Sequence, residues 1–249
     1  MIGSVERYSS TAGKRRASLA GGRFLRVVII ALILYLVISR FLAATYRIES
    51  VSMQPSLRPA DRVVVSLLTY GPRVPFSQSR LPGLSIPARG DIVVVQPPFL
   101  REPNLVSRIL EPIASFLTLQ KATLHRDLYG TRVTGYMVKR VIGLPGDTLR
   151  MSNYVLSIRP RGGTDFIPEQ QLIPLHYQIQ AANGATGWSN TFPLSGNSAE
   201  IVLKDDEFFV LGDNRPESSD SRSWGPLSRD RIVGKIVYRY WPPTSFGTP

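Results

Sequence analysis

The sequence predicts a mainly β protein: an antiparallel, barrel-like catalytic core with a smaller loop-rich insertion, preceded by one N-terminal transmembrane helix. Three observations carry that expectation. Short β-branched runs recur along the chain, each bounded by Gly, Pro, Asp or Asn. The 249 residues include 20 prolines and 20 glycines, which suits many turns and few long helices. One long apolar stretch stands apart near the N-terminus.

That stretch is "VVIIALILYLVIS", residues 27–39, extended by "RFL" before it and "RFLAATY" after it. A helix needs about 20 residues to cross the hydrocarbon. Residues 24–46 reach that length with Arg26 and Arg40 snorkelling to the two interfaces. A buried soluble helix is disfavoured, because no face of the run is polar. A cleaved signal peptide fits the basic start and the length of the run. A permanent signal-anchor fits both and also the extension past Arg40, and it is the reading adopted. Arg7, Lys14, Arg15, Arg16, Arg23 and Arg26 precede the apolar run at 27–39. The positive-inside rule therefore places residues 1–23 in the cytoplasm as a basic tail and residues 47–249 on the extracytoplasmic side. Arg40 and Arg47 weaken this asymmetry without reversing it.

The outer part reads as strands in order: "DRVVVSL", "GDIVVVQ", "GYMVKRVIG", "NYVLSIR", "AEIVLKDDEFFVLGD" and "DRIVGKIVYRYW". Gly90-Asp91 and Gly146-Asp147 mark turns at strand entrances. Three stretches interrupt the pattern. Residues 71–90 form a Pro/Gly/Ser loop. An insertion near 101–128 has room for a short amphipathic helix broken at Pro112. Another near 159–199 is rich in Gly, Asn, Ser and Pro.

Composition removes several chemistries. With no cysteine, disulfides, thiolate zinc sites and cysteine nucleophiles are excluded. The two histidines, His125 and His176, lie in no catalytic motif, so Ser-His-Asp chemistry and histidine metal sites have little support. The net charge of +12 suits nucleic acid, anionic lipid or merely a basic surface. The arginines are scattered and do not alternate with aromatics, so no nucleic-acid partner is expected.

Three segments carry candidate chemistry. In "ESVSMQPSL", Ser50 and Ser52 stand two residues apart, on one side of an extended chain. One hydroxyl could then attack a carbonyl while its own backbone N–H and the other hydroxyl stabilise the oxyanion. In "GYMVKRVIGLPGD", Lys139 sits in a strand of mostly apolar neighbours. Alternation places Met137, Lys139 and Val141 on one face. If that face is inward, desolvation lowers the lysine pKa and makes it a usable base. If it is outward, Lys139 is solvated and Val138, Arg140 and Ile142 face the other way; the strand alone leaves both open. In "FFVLGDNRPESSDSRSWGPLSRDRIVGKI", a polar loop joins two β-runs, and its Asp213, Arg215, Asp220 and Arg222 are suited to charge-assisted hydrogen bonds that make it rigid.

In this order, the anchor, "SVSMQPSL", "ADRVVV", "GDIVVV", "KRVIGLPGD" and "GDNRPESSDSRSWG" resemble the type I signal peptidases, or leader peptidases. These are membrane-anchored Ser/Lys-dyad endopeptidases. The resemblance implies Ser52 as nucleophile and Lys139 as general base. It implies an oxyanion hole made by the Ser50 hydroxyl with the Ser52 backbone N–H, and Ser218 holding the lysine amine. Asp213 with Arg140, and Asp220 with Arg222, match supporting charges, while Tyr46, Ile48 and Val138 match the lining of shallow substrate pockets. It further implies an all-β core, removal of signal peptides from exported precursors after A-x-A sites, a lipid bilayer as second partner, and no metal or cofactor. Pro216-Glu217 and the length of residues 101–128 depart mildly from the expected pattern. Two other readings are weighed beside it. A self-cleaving repressor shares the dyad logic, but no helix-turn-helix precedes the serine here. A catalytically silent, membrane-tethered binding protein would use only the basic surface.

Overall fold

The β-branched runs become strands, and the turn residues between them end them. The computed structural model describes residues 22–74, 79–99, 135–152, 155–173, 177–179 and 196–249. A first helix, α1 (Gly22–Leu42), has 21 residues, none of them buried. At about 1.5 Å per residue it spans about 30 Å, the thickness of a bilayer's hydrocarbon. It is long and apolar enough to cross a membrane.

Seven strands form one antiparallel sheet: β1 (Ala43–Arg47), β2 (Arg62–Ser66), β3 (Ile92–Val95), β4 (Met137–Gly143), β9 (Glu207–Leu211), β10 (Leu227–Ser228) and β11 (Ile232–Trp241). Their order is β1-β2-β11-β3-β4-β9-β10. Among the described residues the sheet is a curled half-barrel with open edges at β1 and β10, not a closed barrel. Register shifts along β11, against both β2 and β3, mark bulges of the kind that bend a strand. A second sheet, β7 (Ile167–Pro168), β6 (Val155–Arg159), β5 (Thr148–Ser152) and β8 (Ser198–Val202), is also antiparallel. Two one-turn helices complete the parts near the site: α2 (Glu169–Leu172) and α3 (Ser221–Trp224).

The central strands are buried on both faces. All four residues of β3 are buried, and β4 is buried from Lys139 to Gly143. Val93, Val95, Val141, Phe208 and Val210 build one cluster, while Met53, Leu57, Val63, Val65 and Val94 build another. Ile142, Phe209 and Leu211 pack against Leu149, Leu156 and Ile158 of the second sheet, which docks it onto the back of β4 and β9.

Where structure and sequence reading differ, tertiary pairing is the reason. The helix ends at Leu42, and residues 43–46, assigned to the span 24–46, pair in register with β2 as β1. The run "AEIVLKDDEFFVLGD" divides at the Lys204–Glu207 turn into β8 and β9, which belong to different sheets. β5, "TLRMS", has little β-branched content and is held by partners on both sides, β6 and β8. The smaller sheet spans residues 148–202, so it starts earlier than the insertion read near 159–199. Gly90 and Gly146 adopt φ of +92° and +83° and turn the chain into β3 and β5, as their Gly-Asp pairs predict. The insertion near 101–128, His125 and His176 lie outside the described residues.

Candidate active site

The segment after β1 makes a tight turn instead of an extended chain. The Gln54 N–H donates to the Val51 carbonyl at 3.0 Å, and the Leu57 N–H donates to the Met53 carbonyl at 2.9 Å. The turn is closed at its base by reciprocal backbone bonds, Ile48 N–H to Asp61 and Ala60 N–H to Ile48, both 2.8 Å. Arg239 on β11 clamps it from outside, donating to the Ser56 carbonyl and the Asp61 carboxylate at 3.1 Å each. Ser52 is thereby held in place with 5% of its surface exposed. Ser50 and Ser52 do come together, Oγ to Oγ 3.2 Å, but across this turn and not along a strand.

β4 delivers Lys139 from the other side. Lys139 Nζ lies 3.0 Å from Ser52 Oγ and 3.1 Å from Ser218 Oγ. The question of which face is inward has no answer in the expected form, because Lys139 and Arg140 are both buried, at 2% and 3% exposure. Burial pushes the Lys139 ammonium down. Asp220 opposes this, Arg222 adds to it, Asp213 opposes it, and the net pKa is about 8. At pH 7 roughly a tenth of such lysines are neutral, against fewer than about one in a thousand for an ordinary lysine.

The loop from Gly212 to Asp220 carries the third part. Arg140 donates to both oxygens of Asp213, at 2.9 and 2.7 Å, and the Ser56 hydroxyl donates to the same carboxylate at 2.6 Å. This ties β4, the serine turn and the loop into one buried node. A second pair, Arg222 and Asp220, is also bidentate, at 2.8 and 2.9 Å. Burial alone would raise the Asp220 pKa. Hydrogen bonds and charge from Arg222, with Ser218 and the Gly212 N–H, hold it below the usual carboxylate range instead. Asp220 also caps α3 and so sets where the loop ends. The loop touches the serine turn directly, since the Asn214 N–H donates to the Ser52 carbonyl at 3.0 Å.

Tyr46, Ile48 and Val138 share one apolar cluster with Met53, the residue after Ser52. Ile48 is buried within it, whereas Tyr46 and Val138 are half-buried. The side chains of Ser56, Glu169 and Tyr177 were not among the expected site residues. Ser56 joins the Arg140–Asp213 pair, while Glu169, just after β7, meets Arg215 of the loop and the Tyr177 ring meets Arg140. Ser56 stands in the same "SMQPSL" block and could have been found there. Nothing in the sequence marks the other two.

The profile of the family described as "Signal peptidase, peptidase S26" matches residues 22–241. The chain belongs to this family. Membership makes it a serine peptidase of the signal-peptide-removing class. It is 26% identical over 222 residues to signal peptidase IB of Staphylococcus aureus, covering 88% of each chain. It is 27% identical over 221 residues to a probable signal peptidase I-1 of Synechocystis sp., covering 89% of this chain and 83% of the relative. A crystal structure of a signal peptidase I from Enterococcus faecalis aligns with 60% of this chain and 96% of that one, at 21% identity and a TM-score of 0.33.

One glycine of the candidate site has no room for a side chain. A Cβ on Gly212 would fall 2.2 Å from Ser218 Oγ and 2.5 Å from the Ser52 carbonyl oxygen. One neighbour is backbone, so the loop must move away from the serine turn. Gly212→Ala is expected to lower kcat by about a hundredfold, the scale of a misplacement of about 1 Å. Steady-state kinetics on detergent-solubilised protein check this, and a kcat within threefold of the unmutated enzyme would contradict it.

Proposed function

We propose that the chain removes signal peptides by a Ser52 nucleophile and a Lys139 general base, cutting after A-x-A sites. The observation that carries the Ser52–Lys139 mechanism is the 3.0 Å separation of Lys139 Nζ from Ser52 Oγ in a buried setting; the A-x-A preference follows from the family resemblance. The Ser52 hydroxyl donates its proton to the neutral amine as Oγ attacks the scissile carbonyl. Negative charge then develops on the carbonyl oxygen, where the Ser52 backbone N–H and the Ser50 hydroxyl stabilise it. The leaving amine takes the proton from Lys139, and an acyl-enzyme on Ser52 remains. Water, deprotonated by the same amine, hydrolyses the ester and frees both groups for another cycle.

Ser218 limits the freedom of the Lys139 amine, so its lone pair is kept on Ser52. The Arg140–Asp213 and Arg222–Asp220 pairs hold the loop that presents Ser218. Tyr46, Ile48 and Val138 form the apolar lining against which small side chains of the substrate rest. In this reading α1 spans the bilayer with residues 1–23 in the cytoplasm. The catalytic part then faces the side where a translocated cleavage site emerges.

The titration of Lys139 gives the test. Its neutral form is the active one, so kcat should rise with pH through about 8 and level off above. At pH 6 the neutral fraction is about 1%, so the rate should fall roughly a hundredfold from the plateau to pH 6. Single-turnover cleavage of a precursor from pH 6 to 10 measures it. A profile flat between pH 6 and 9 would contradict Lys139 as base.

A further inference from the structure

Two residues that follow β7 of the smaller sheet reach the site, Glu169 through Arg215 of the loop and Tyr177 through Arg140 of β4. Arg215, 8% exposed, meets Glu169, which is 3% exposed and is the first residue of α2. Arg215 Nη1 donates to Glu169 Oε2 at 3.0 Å, and Nη2 donates to Oε1. The same guanidinium donates through Nε to the Gly212 carbonyl at 2.9 Å, and the Arg215 carbonyl accepts from Arg222 Nη2 at 2.7 Å. Arg215 therefore holds both Gly212, which abuts Ser218 and the Ser52 carbonyl, and Arg222, which holds Asp220.

The second contact is Tyr177. Its hydroxyl donates to Glu169 Oε1, and its ring lies 4.3 Å from the Arg140 guanidinium carbon. One residue thus touches the Glu169–Arg215 pair with its polar end and the Arg140–Asp213 pair with its face. A buried ion pair adds little stability over apolar packing, and its better-attested effect is to fix one geometry.

We propose that Glu169, supported by Tyr177, is a positioning residue through which the smaller sheet sets the catalytic loop. Glu169 fixes Arg215, Arg215 fixes Gly212 and Arg222, and these seat Ser218 and Ser52 against Lys139. Glu169 touches no reacting atom and acts only through Arg215. The proposal rests on the Ser52–Lys139 reading of the site.

The test uses the detergent-solubilised full chain and two variants. Glu169→Gln keeps the shape and removes the charge, and Tyr177→Phe removes one hydroxyl and leaves the ring over Arg140. Expected for Glu169→Gln is a kcat about thirtyfold lower with KM within twofold, and for Tyr177→Phe a kcat about threefold lower. The second readout is the NMR titration of Lys139 Nζ, which Asp213, Asp220 and Arg222 surround. A loosened loop admits water and moves its midpoint up, whereas losing a carboxylate by charge alone would move it down. A midpoint that is unchanged or lower in Glu169→Gln, or a loss confined to KM, overturns the proposal. If Glu169→Gln does not fold, an unchanged kcat in Tyr177→Phe overturns it. If the unmutated chain cleaves no precursor, the peptidase mechanism fails, and the titration midpoints alone decide whether Glu169 sets the loop.

Discussion

Lys139→Arg is expected to lower kcat by at least about a thousandfold while leaving substrate binding within a few-fold. Arginine keeps the charge of the protonated lysine but cannot give it up, so the variant lacks only the neutral, basic form. A guanidinium has a pKa above about 12, so at pH 7 almost none of it is neutral, whereas roughly a tenth of Lys139 is. Its planar fork also fits poorly in a site where the lysine is 2% exposed and lies near 3 Å from two hydroxyls. Lys139→Ala separates the two effects, since it removes the base without adding bulk. Both variants should be inactive at every pH from 6 to 10. A variant retaining a tenth of the unmutated kcat would exclude Lys139 as the base.

Asp213→Ala should have the largest effect on stability. Asp213 is fully buried and accepts two bonds from Arg140 and one from Ser56. Removing it leaves the Arg140 guanidinium with the Gly90 carbonyl, the Ser56 hydroxyl and the Tyr177 ring as its partners. Stranding a buried charge in this way costs about 3–5 kcal/mol. That is a large share of the roughly 5–15 kcal/mol by which domains are stable. Denaturant unfolding of both proteins measures the difference, and a loss below about 1 kcal/mol would contradict the account. Adding Arg140→Met should recover part of the loss, because the uncompensated charge is then gone. Activity should not recover with it, since the node that joins β4, the serine turn and the loop stays broken.

Much of the fold was legible, because β-branched runs bounded by Gly, Pro, Asp or Asn state where strands begin. The runs at β2, β3, β4, β6 and β11 were read within about two residues, the usual uncertainty of element ends. β1 was hidden in the tail of the apolar stretch, and β5 has too little β propensity to be seen without its two neighbours. The site was legible in its types and blocks but not in its geometry. Period-two alternation decides which residues face inward only when one face of a strand is solvated. β4 is buried on both, so alternation does not choose between Lys139 and Arg140, and the structure buries the two side by side. Ser50 and Ser52 were expected to meet along an extended chain. They meet because the chain turns, which the Met53-Gln54-Pro55 sequence permits but does not announce. Glu169 and Tyr177 were beyond reach for another reason. They lie 46 and 38 residues from Arg215, in a stretch without periodicity, and only the docking of the second sheet brings them to it.

The most direct measurement is cleavage of a signal-bearing precursor by the solubilised chain, beside Ser52→Ala and Lys139→Ala, with the product N-terminus sequenced. The account predicts a single cut after an A-x-A site by the unmutated chain and no product from either variant. Cleavage that survives the loss of Ser52 or Lys139, or no cleavage by the unmutated chain of any of several precursors with lipid present, would contradict it.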